Sequence, residues 1–410
     1  MRRNRDAGSR VLYLSRDGIL DGLGESQITG YLRALAGDYR FWLVTFEKSR
    51  TGAAPLRERL AASGIDWRAL AFHGGADPVR GGWGLLKFVL LSAWLVISRR
   101  IRIIHARSYV PCAVALAVRS LCLGYPRVVF DMRGFWIDER AEAGQWRAQG
   151  AAYRLGKRIE RLLLRGADEI VTLTSSARTE AARLRGRPGT AAITVIPTCV
   201  DTERFRPLPG ALAPEPSGPP WRDRLVFVYM GAAGFWQDPQ VLAEFFGAVH
   251  QERADAVFLC LLRTGASEMR RTLERAGLAA VSRVEEAVPL RDLPRWLSAA
   301  SVGVVWYRPT FSRIGNFPTK LGEYLACGLP VVVGGATADS VELVARERVG
   351  TVVREFSPEA YREAIAEAVG LAKDPDTAAR CRRAAERYLS VQVGAERYAE
   401  IYRRLLGRAA

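Results

Sequence analysis

The strongest constraint on this chain is a run of short apolar strands alternating with amphipathic helices, which occurs twice. In the first run, "RVLYLS" (Arg10 to Ser15), "FWLVTFE", "RIIHARS", "RVVFDMRG", "DEIVTLT" and "AITVIPT" read as strands. Between them lie helical patterns: from Ser26 through "QITGYLRALA", near Leu56 to Ala62, "VPCAVALAVRSLCL", "RAQGAAYRLGKRIERLLLRGA" and "SSARTEAARLRG". Strands that are apolar along their whole length, not at alternate positions, must be covered on both faces. The pattern therefore predicts an α/β fold with a parallel sheet between helical layers. From Arg206 to Arg224 the sequence "RPLPGALAPEPSGPPWRDR" loses all periodicity and reads as an interdomain linker. The alternation then restarts with "RLVFVYMG", "DPQVLAEFFGAVHQER", "AVFLCLLR", "ASEMRRTLERAGL", "LRDLPRWLSAA" and "VGVVW", and the tail "ERYAEIYRRLLGR" is amphipathic. At 410 residues the chain exceeds one ordinary core. Two Rossmann-like, doubly wound parallel-sheet domains are expected, 1–206 and 207–387, facing each other across a cleft.

Composition narrows the chemistry. The formal charge is +17, and only Lys48, Lys87, Lys157, Lys320 and Lys373 are lysines, so the excess is arginine. A basic chain suits nucleic acid, anionic lipid or phosphorylated ligands. The arginines are scattered and no helix-turn-helix, zinc-finger or RNA-binding signature is present, so nucleic acid is not expected. No G-x-G-x-x-G follows the first strand of either run, which argues against a dinucleotide dehydrogenase. The six cysteines form no C-x-x-C pair and lie mostly in apolar runs, as reduced, buried thiols of a cytoplasmic protein do. With three histidines and no clustered acidic partners, no metal site is expected. "MRRNRDAGSR" runs straight into a strand, so no signal peptide is read there. "WGLLKFVLLSAWLVIS" (Trp83 to Ser98) falls short of the ~20 apolar residues of a spanning helix and contains Lys87. It is read as a buried helix between strands, the alternative being a helix at a membrane interface with Trp83, Trp94 and the following arginines at headgroup level.

The stretch "FPTKLGEYLACGLPVVV" (Phe317 to Val333) concentrates the functional signal. Pro318 suits the start of a short helix, and Gly328 with Pro330 its end. Lys320 and Glu323 share a helix face close to an N-terminus that attracts anions. Two readings follow: a surface ion pair, or a lysine on a phosphate and a glutamate accepting hydrogen bonds from neighbouring hydroxyls such as those of a ribose. In the first domain, His105 and Arg107 end one strand, and Asp131 and Arg133 end another. Four polar residues at strand ends point to a cleft, against the plainer reading of a salt-bridge network with Asp131 and Glu139. "DGLGESQ" (Asp21 to Gln27) follows the first strand with glycines that permit close approach to a ligand, although Ser26 also fits a helix cap.

These motifs, in this order, resemble the retaining GT-B-fold glycosyltransferases of family 4 along nearly the whole chain. "ITVIPTCVDTERFRP" is similar to the segment ending that family's first domain, "ADEIVTLTSSA" to the strand and serine turn before it, and "PTKLGEYLACGLPVV" to its donor-binding helix. "DGLGESQ" with "FDMRGFW" resembles a bacterial subgroup making surface polysaccharides or related glycoconjugates. The resemblance implies a hexosyltransferase moving sugar from a nucleoside-diphosphate sugar to an acceptor hydroxyl with retention, and a C-terminal helix, about 388–410, returning to the first domain. It implies catalytic roles for Arg133, Asp131, His105 and Lys320, with Arg133 where many relatives carry histidine. It implies donor contacts from Glu323, Lys320, Thr319, Arg263, Arg313, Gly231 and Ser312, and an acceptor or phosphate loop at Gly24, Glu25, Ser26 and Gln27. The base pocket is expected around "EEAVPL" (Glu285 to Leu290). Two departures stand out. Gly315 replaces a glutamate that the family often places near the transferred sugar, and "GAAGFW" lacks the usual arginine and lysine. Arg263, Arg313 and Lys320 are then left to neutralise the diphosphate. No cofactor or metal is implied. The expected partners are the donor, a glycan or polyprenyl-linked acceptor and an anionic membrane at the inner face of the cytoplasmic membrane. The alternatives are a sugar-nucleotide epimerase of the same fold and a non-catalytic sugar-nucleotide or glycan binder.

Overall fold

The computed structural model describes residues 8–20, 24–49, 51–72, 78–186, 192–208, 224–335 and 337–407. By contacts the chain divides into two units. One holds Met1–Pro197, Ile314–Asn316 and Val391–Ala410, and the other Thr198–Arg313 and Phe317–Ser390.

The first unit begins with β1 (Ser9–Ser15), a π-helical turn (Glu25–Thr29) continuing into α1 (Gly30–Leu35), β2 (Tyr39–Glu47), α2 (Ala53–Ala62), β3 (Ile65–Ala71) and α3 (Pro78–Arg99). It continues with β4 (Ile103–Arg107), α4 (Tyr109–Leu121), β5 (Arg127–Asp131), α5 (Trp136–Glu142), α6 (Ala151–Gly166), β6 (Glu169–Thr172), α7 (Ser175–Arg185) and β7 (Ala192–Val195). All pairings are parallel, in the order β3-β2-β1-β4-β5-β6-β7. Every residue of β4 is buried, as a central strand with helices on both faces requires.

The second unit holds β8 (Leu225–Ala232), α8 (Pro239–Glu252), β9 (Ala256–Thr264), α9 (Ala266–Arg275), β10 (Ser282–Glu286), α10 (Leu293–Leu297), β11 (Val302–Trp306) and α11 (Thr319–Ala326). It ends with β12 (Val331–Gly334), α12 (Ala338–Glu347), β13 (Gly350–Val353), α13 (Pro358–Lys373), α14 (Thr377–Ala384) and a π-helical turn (Ala385–Leu389). Its strands are also parallel, ordered β10-β9-β8-β11-β12-β13. The last helix, α15 (Val391–Leu405), is counted with the first unit. There Tyr398 meets Tyr31 edge-on at 5.3 Å and Tyr402 meets Tyr39 at 5.1 Å. Arg397 donates to the Val195 carbonyl and Arg404 to Glu169.

Several sequence expectations change. β3 and β10 escape the periodicity reading because they are half-exposed, and α5 because it is only seven residues long; β13 and the helices α12 to α14 escape it as well. By contacts, the opening stretch of the first unit runs to Pro197, short of the Arg206 boundary read from the sequence. The Val200 N–H donates to the Leu389 carbonyl, and Arg382 binds the carbonyls of Thr202 and Phe205, so this segment belongs to the second core. Most of the linker read at Arg206 to Arg224, and Asp21 to Leu23 of the glycine loop, lie outside the described residues.

The apolar segment is corrected in both length and burial. α3 runs for 22 residues and is long and apolar enough, by length and composition, to cross a membrane. It buries one face, Phe88, Ser92, Leu95 and Val96, against α4 and strands β1, β2 and β3. The stripe Trp83, Leu86, Leu90, Trp94 and Ile97 is 46–68% exposed. The helix covers the β1–β3 side of the sheet, where α4 is its helical neighbour, and among the described residues its far side is exposed.

Arg382 is the cross-brace of the second unit, since one guanidinium nitrogen bonds three carbonyls, those of Thr202, Phe205 and Ala326. Arg382→Ala leaves all three without that donor. It is expected to destabilise the unit by about 2–3 kcal/mol, read as a lower denaturation midpoint with unchanged slope.

Candidate functional site

Both sheets reverse direction once. In the first unit the chain moves from β1 to β2 and β3, then crosses to β4 on the other side of β1. In the second it moves from β8 to β9 and β10, then crosses to β11 beside β8. The crossover helices leave in opposite directions at such a point and open a crevice at the strand C-termini. In each unit the charged residues singled out from sequence gather there.

In the second unit, α11 starts after Pro318 and is followed by Gly328, whose φ of +80° ends the helix. Lys320 and Glu323 are only 6% and 7% exposed, and Lys320 Nζ makes no hydrogen bond. The surface ion-pair reading is therefore set aside. Nζ instead sits 4.1 Å from the ring centre of Tyr229 on β8 and 5.2 Å from that of Tyr307, just beyond β11. Room for it comes from Gly231, which has φ +145° and where a Cβ would lie 2.9 Å from Nζ. Burial draws the Lys320 ammonium down to about 7, opposed by Glu323 and reinforced by Arg263. Burial pushes the Glu323 carboxyl up to about 7, against the pull of Lys320 and Arg263. A buried amine without a hydrogen bond is costly unless a ligand completes it. Arg263 is exposed at the end of β9, Thr319 begins α11, and Ser312 is fully buried. Arg313 lies 4.9 Å from the ring of Trp236. Gly315 ends a short 3-10 turn, Phe311–Gly315. The "EEAVPL" stretch begins on β10, where Glu285 pairs with Arg283 and the Ala287 N–H donates to the Leu262 carbonyl.

In the first unit His105 and Asp131 are each 1% exposed. His105 Nδ1 is 2.7 Å from the Tyr402 hydroxyl, its Nε2 is 3.6 Å from Asp131, and Tyr398 donates to Asp131 at 3.2 Å. Burial lowers the His105 pKa, only partly opposed by Asp131. The ring is neutral at physiological pH. Burial alone would raise the Asp131 carboxyl, but Arg133, His105 and Arg107 outweigh it and hold it below the usual range. His105 and Asp131, for which catalytic roles are expected, are buried against Tyr402 and Tyr398 of α15, with Arg107 and Arg133 beside Asp131. Arg107 and Arg133 approach Asp131 at 3.8 Å each, and Arg133 also bonds Gln27 at 3.3 Å. Arg107 also approaches Asp17 at 3.5 Å, and Glu139 accepts from Asn316, so charged groups are networked around Asp131 as the plainer reading expects.

The loop residues Gly24, Glu25, Ser26 and Gln27 form the start of the π-helical turn, with Gly24 capping it and Gln27 buried. Ser26 is inside the turn and is not its cap. A Cβ on Gly24 would come within 1.7 Å of the Gly18 carbonyl, so the turn closes only with glycine. The preceding loop is held by Glu47, which accepts from the N–H groups of Ile19 and Leu20. Sequence reasoning missed Tyr229 and Tyr307 around Lys320 and Tyr398 and Tyr402 on the first cluster, because apolar runs hide the one aromatic that faces a charge. Among the described residues no group of three or more His, Cys, Asp or Glu stands together as a metal site would. All six cysteines are free, and all but Cys122 are buried.

Two Rossmann-like parallel-sheet units with charged crevices at their switch points define the GT-B class of α/β proteins. Residues 24–199 match the family model described as "Glycosyl transferase 4-like domain" and residues 224–370 the one described as "Glycosyl transferases group 1". The chain is a GT-B-fold glycosyltransferase. Among solved structures it is similar to a sucrose-phosphate synthase from Thermosynechococcus elongatus, with TM-score 0.72 and 16% identity over 97% of this chain and 99% of that one. It is also similar to Anabaena HepE in complex with UDP and glucose, with TM-score 0.71 and 13% identity over 96% and 99%. A glycosyltransferase from Rickettsia africae aligns with TM-score 0.70 and 14% identity over 98% and 100%. No curated protein sequence matches.

The buried pair makes stability depend on pH in a defined sense. Between about 7 and 10.5 the unfolded chain holds a proton at Lys320 that the folded chain has lost, so stability rises with pH across that window. Between 4.5 and about 7 the folded chain holds a proton at Glu323 that the unfolded chain lacks, so stability falls as pH rises. Lys320→Met is expected to melt above the parent by the widest margin below about pH 7, with the gap closing towards pH 10.5. A pH series of melting curves on both proteins checks this.

Proposed function

We propose that the protein transfers a hexosyl group from a nucleoside-diphosphate sugar, with UDP as the nucleotide, to an acceptor hydroxyl with retention of anomeric configuration. The observation that carries this reading is the buried Lys320 amine, held between two tyrosine rings with no hydrogen-bond partner and with Glu323 one turn further along the helix. A diphosphate at the start of α11 meets that amine and the free N–H groups of the first helical turn. The ribose then lies near Glu323, whose carboxylate accepts from both hydroxyls. The transfer step separates the sugar from a diphosphate that gains negative charge; the bound diphosphate favours the ammonium form of Lys320, and that charge, held in place by the surrounding rings, lowers the barrier. Arg263 and Arg313 add charge at the rim, in place of the arginine and lysine missing from "GAAGFW". The HepE complex with UDP and glucose supports the choice of nucleotide. The reading requires no metal or other cofactor.

The acceptor side is proposed to be a glycan or polyprenyl-linked saccharide, reached at an anionic membrane on the cytoplasmic side. Support comes from the exposed apolar stripe of α3, with exposed Lys87, Arg99, Arg100 and Arg102 on or just beyond the same helix. Tryptophans and arginines on such a helix suit the headgroup region.

Two measurements test the proposal. In calorimetry at pH 8, Glu323→Gln should weaken UDP binding at least tenfold. A 2′-deoxy analogue should bind worse than UDP to the parent and equally well to the variant; an equal penalty in both proteins removes Glu323 from the ribose. In flotation assays the parent should recover with anionic vesicles and much less with neutral ones. Leu90→Ser with Trp94→Ser, both exposed positions, should abolish recovery without lowering the melting temperature. Equal recovery of parent and double variant sinks the membrane contact.

A further inference from the structure

The first unit contains a cavity of about 220 Å³ at the C-terminal ends of β1, β4 and β5, lined by Arg16, Arg107, Ser108, Val110, Arg133 and Trp136 among others. It is smaller than the roughly 300 Å³ at which drug-sized ligand sites begin, so it admits a head group and not a whole sugar nucleotide. Arg107 is 6% exposed, and neither its Nε nor its Nη1 makes a hydrogen bond. The nearest carboxylates to these atoms are Asp17 at 3.5 Å and Asp131 at 3.8 Å, beyond hydrogen-bond reach. Arg133 Nη1 is also without a hydrogen bond. Buried guanidinium donors are seldom left unmade, because each costs its desolvation.

Backbone geometry adds to this. α4 is 13 residues long and is preceded by Ser108, which supplies no side-chain cap. Pro111 has no N–H and the Cys112 N–H donates to the Ser108 carbonyl, so the first turn has the N–H groups of Tyr109 and Val110 to offer, and both residues line the cavity. Ser108 and Arg133 both adopt left-handed φ values, +73° and +61°. Two non-glycine residues in that region on one cavity wall store strain of the kind that accompanies ligand sites. Asp17 and Glu139 also line the cavity, but the Asp17 side chain is 58% exposed and can turn outward.

We infer that this cavity binds an anionic group of the acceptor, a phosphate monoester or diester, through Arg107, Arg133 and the start of α4. The inference rests on the transferase reading for the word acceptor, and on the first unit alone for the anion. A soluble sugar phosphate and a lipid-linked phosphate present the same chemistry here.

The test uses the full chain carrying Lys320→Met, so that anions held at the donor site contribute less and equally in every protein compared. Calorimetry with glucose 1-phosphate and with glucose is compared among this protein and two further variants, Arg133→Gln and Val110→Glu. Val110→Glu places a carboxylate in the cavity while favouring the first turn of α4, so it separates loss of the site from loss of the fold. Vesicles of neutral lipid with and without a polyprenyl phosphate form a second arm. Glucose 1-phosphate or the polyprenyl phosphate should bind and glucose should not, and each variant should weaken the anion at least tenfold. Binding in only one arm identifies the source. No binding in either arm, or equal affinity in all three proteins, overturns the inference. UDP binding by otherwise unaltered protein is measured alongside. Its absence with anion binding intact removes the donor reading and leaves the anion site standing.

Discussion

A parallel strand cannot turn back on itself. Among the described residues, every strand after the first of its sheet is reached through a crossover, and each sheet reverses its direction of growth once. That reversal places β1 beside β4 and β8 beside β11, and the polar residues at those strand ends meet in the crevices it opens. Lys320, Glu323 and Gly231 are close only because α11 follows β11 and docks beside the end of β8. Arg107 and Arg133 share a cavity only because β4 and β5 are neighbours.

The two crevices handle buried charge differently. In the second unit the amine has no hydrogen bond, and burial drives both Lys320 and Glu323 towards neutrality near physiological pH. Such a site is poised to gain from a ligand that supplies the missing partners. In the first unit a neutral His105 and an ionised Asp131 form a floor tied to Tyr398 and Tyr402 of α15. That floor fixes the two arginines above it. The last helix of the chain thus completes a site built by strands almost three hundred residues earlier, the separation of the His105 to Tyr402 contact being 297.

α3 shows how far a local pattern can mislead. Its composition is that of a core helix, but only one narrow face is core, with Phe88 and Leu95 fully buried. Among the described residues the opposite stripe is exposed. A large apolar stripe in water is unfavourable and marks a surface meant for another phase or partner.

The tandem α/β architecture was legible in the sequence because continuous apolar strands and helix-period segments report local burial, and Pro318, Gly328 and Pro330 bound α11 by local sterics. The Lys320 and Glu323 pair was legible as a choice between two readings, since three-residue spacing on a helix fixes a shared face and says nothing of depth. Only tertiary structure decided that both are buried, that Gly231 makes the space and that Tyr229 and Tyr307 enclose the amine. It also buried His105 and Asp131 against Tyr402 and Tyr398 and exposed one side of α3. These outcomes depend on which strands become neighbours and which helix covers which face, and contacts between residues hundreds of positions apart leave no trace in the local pattern of either.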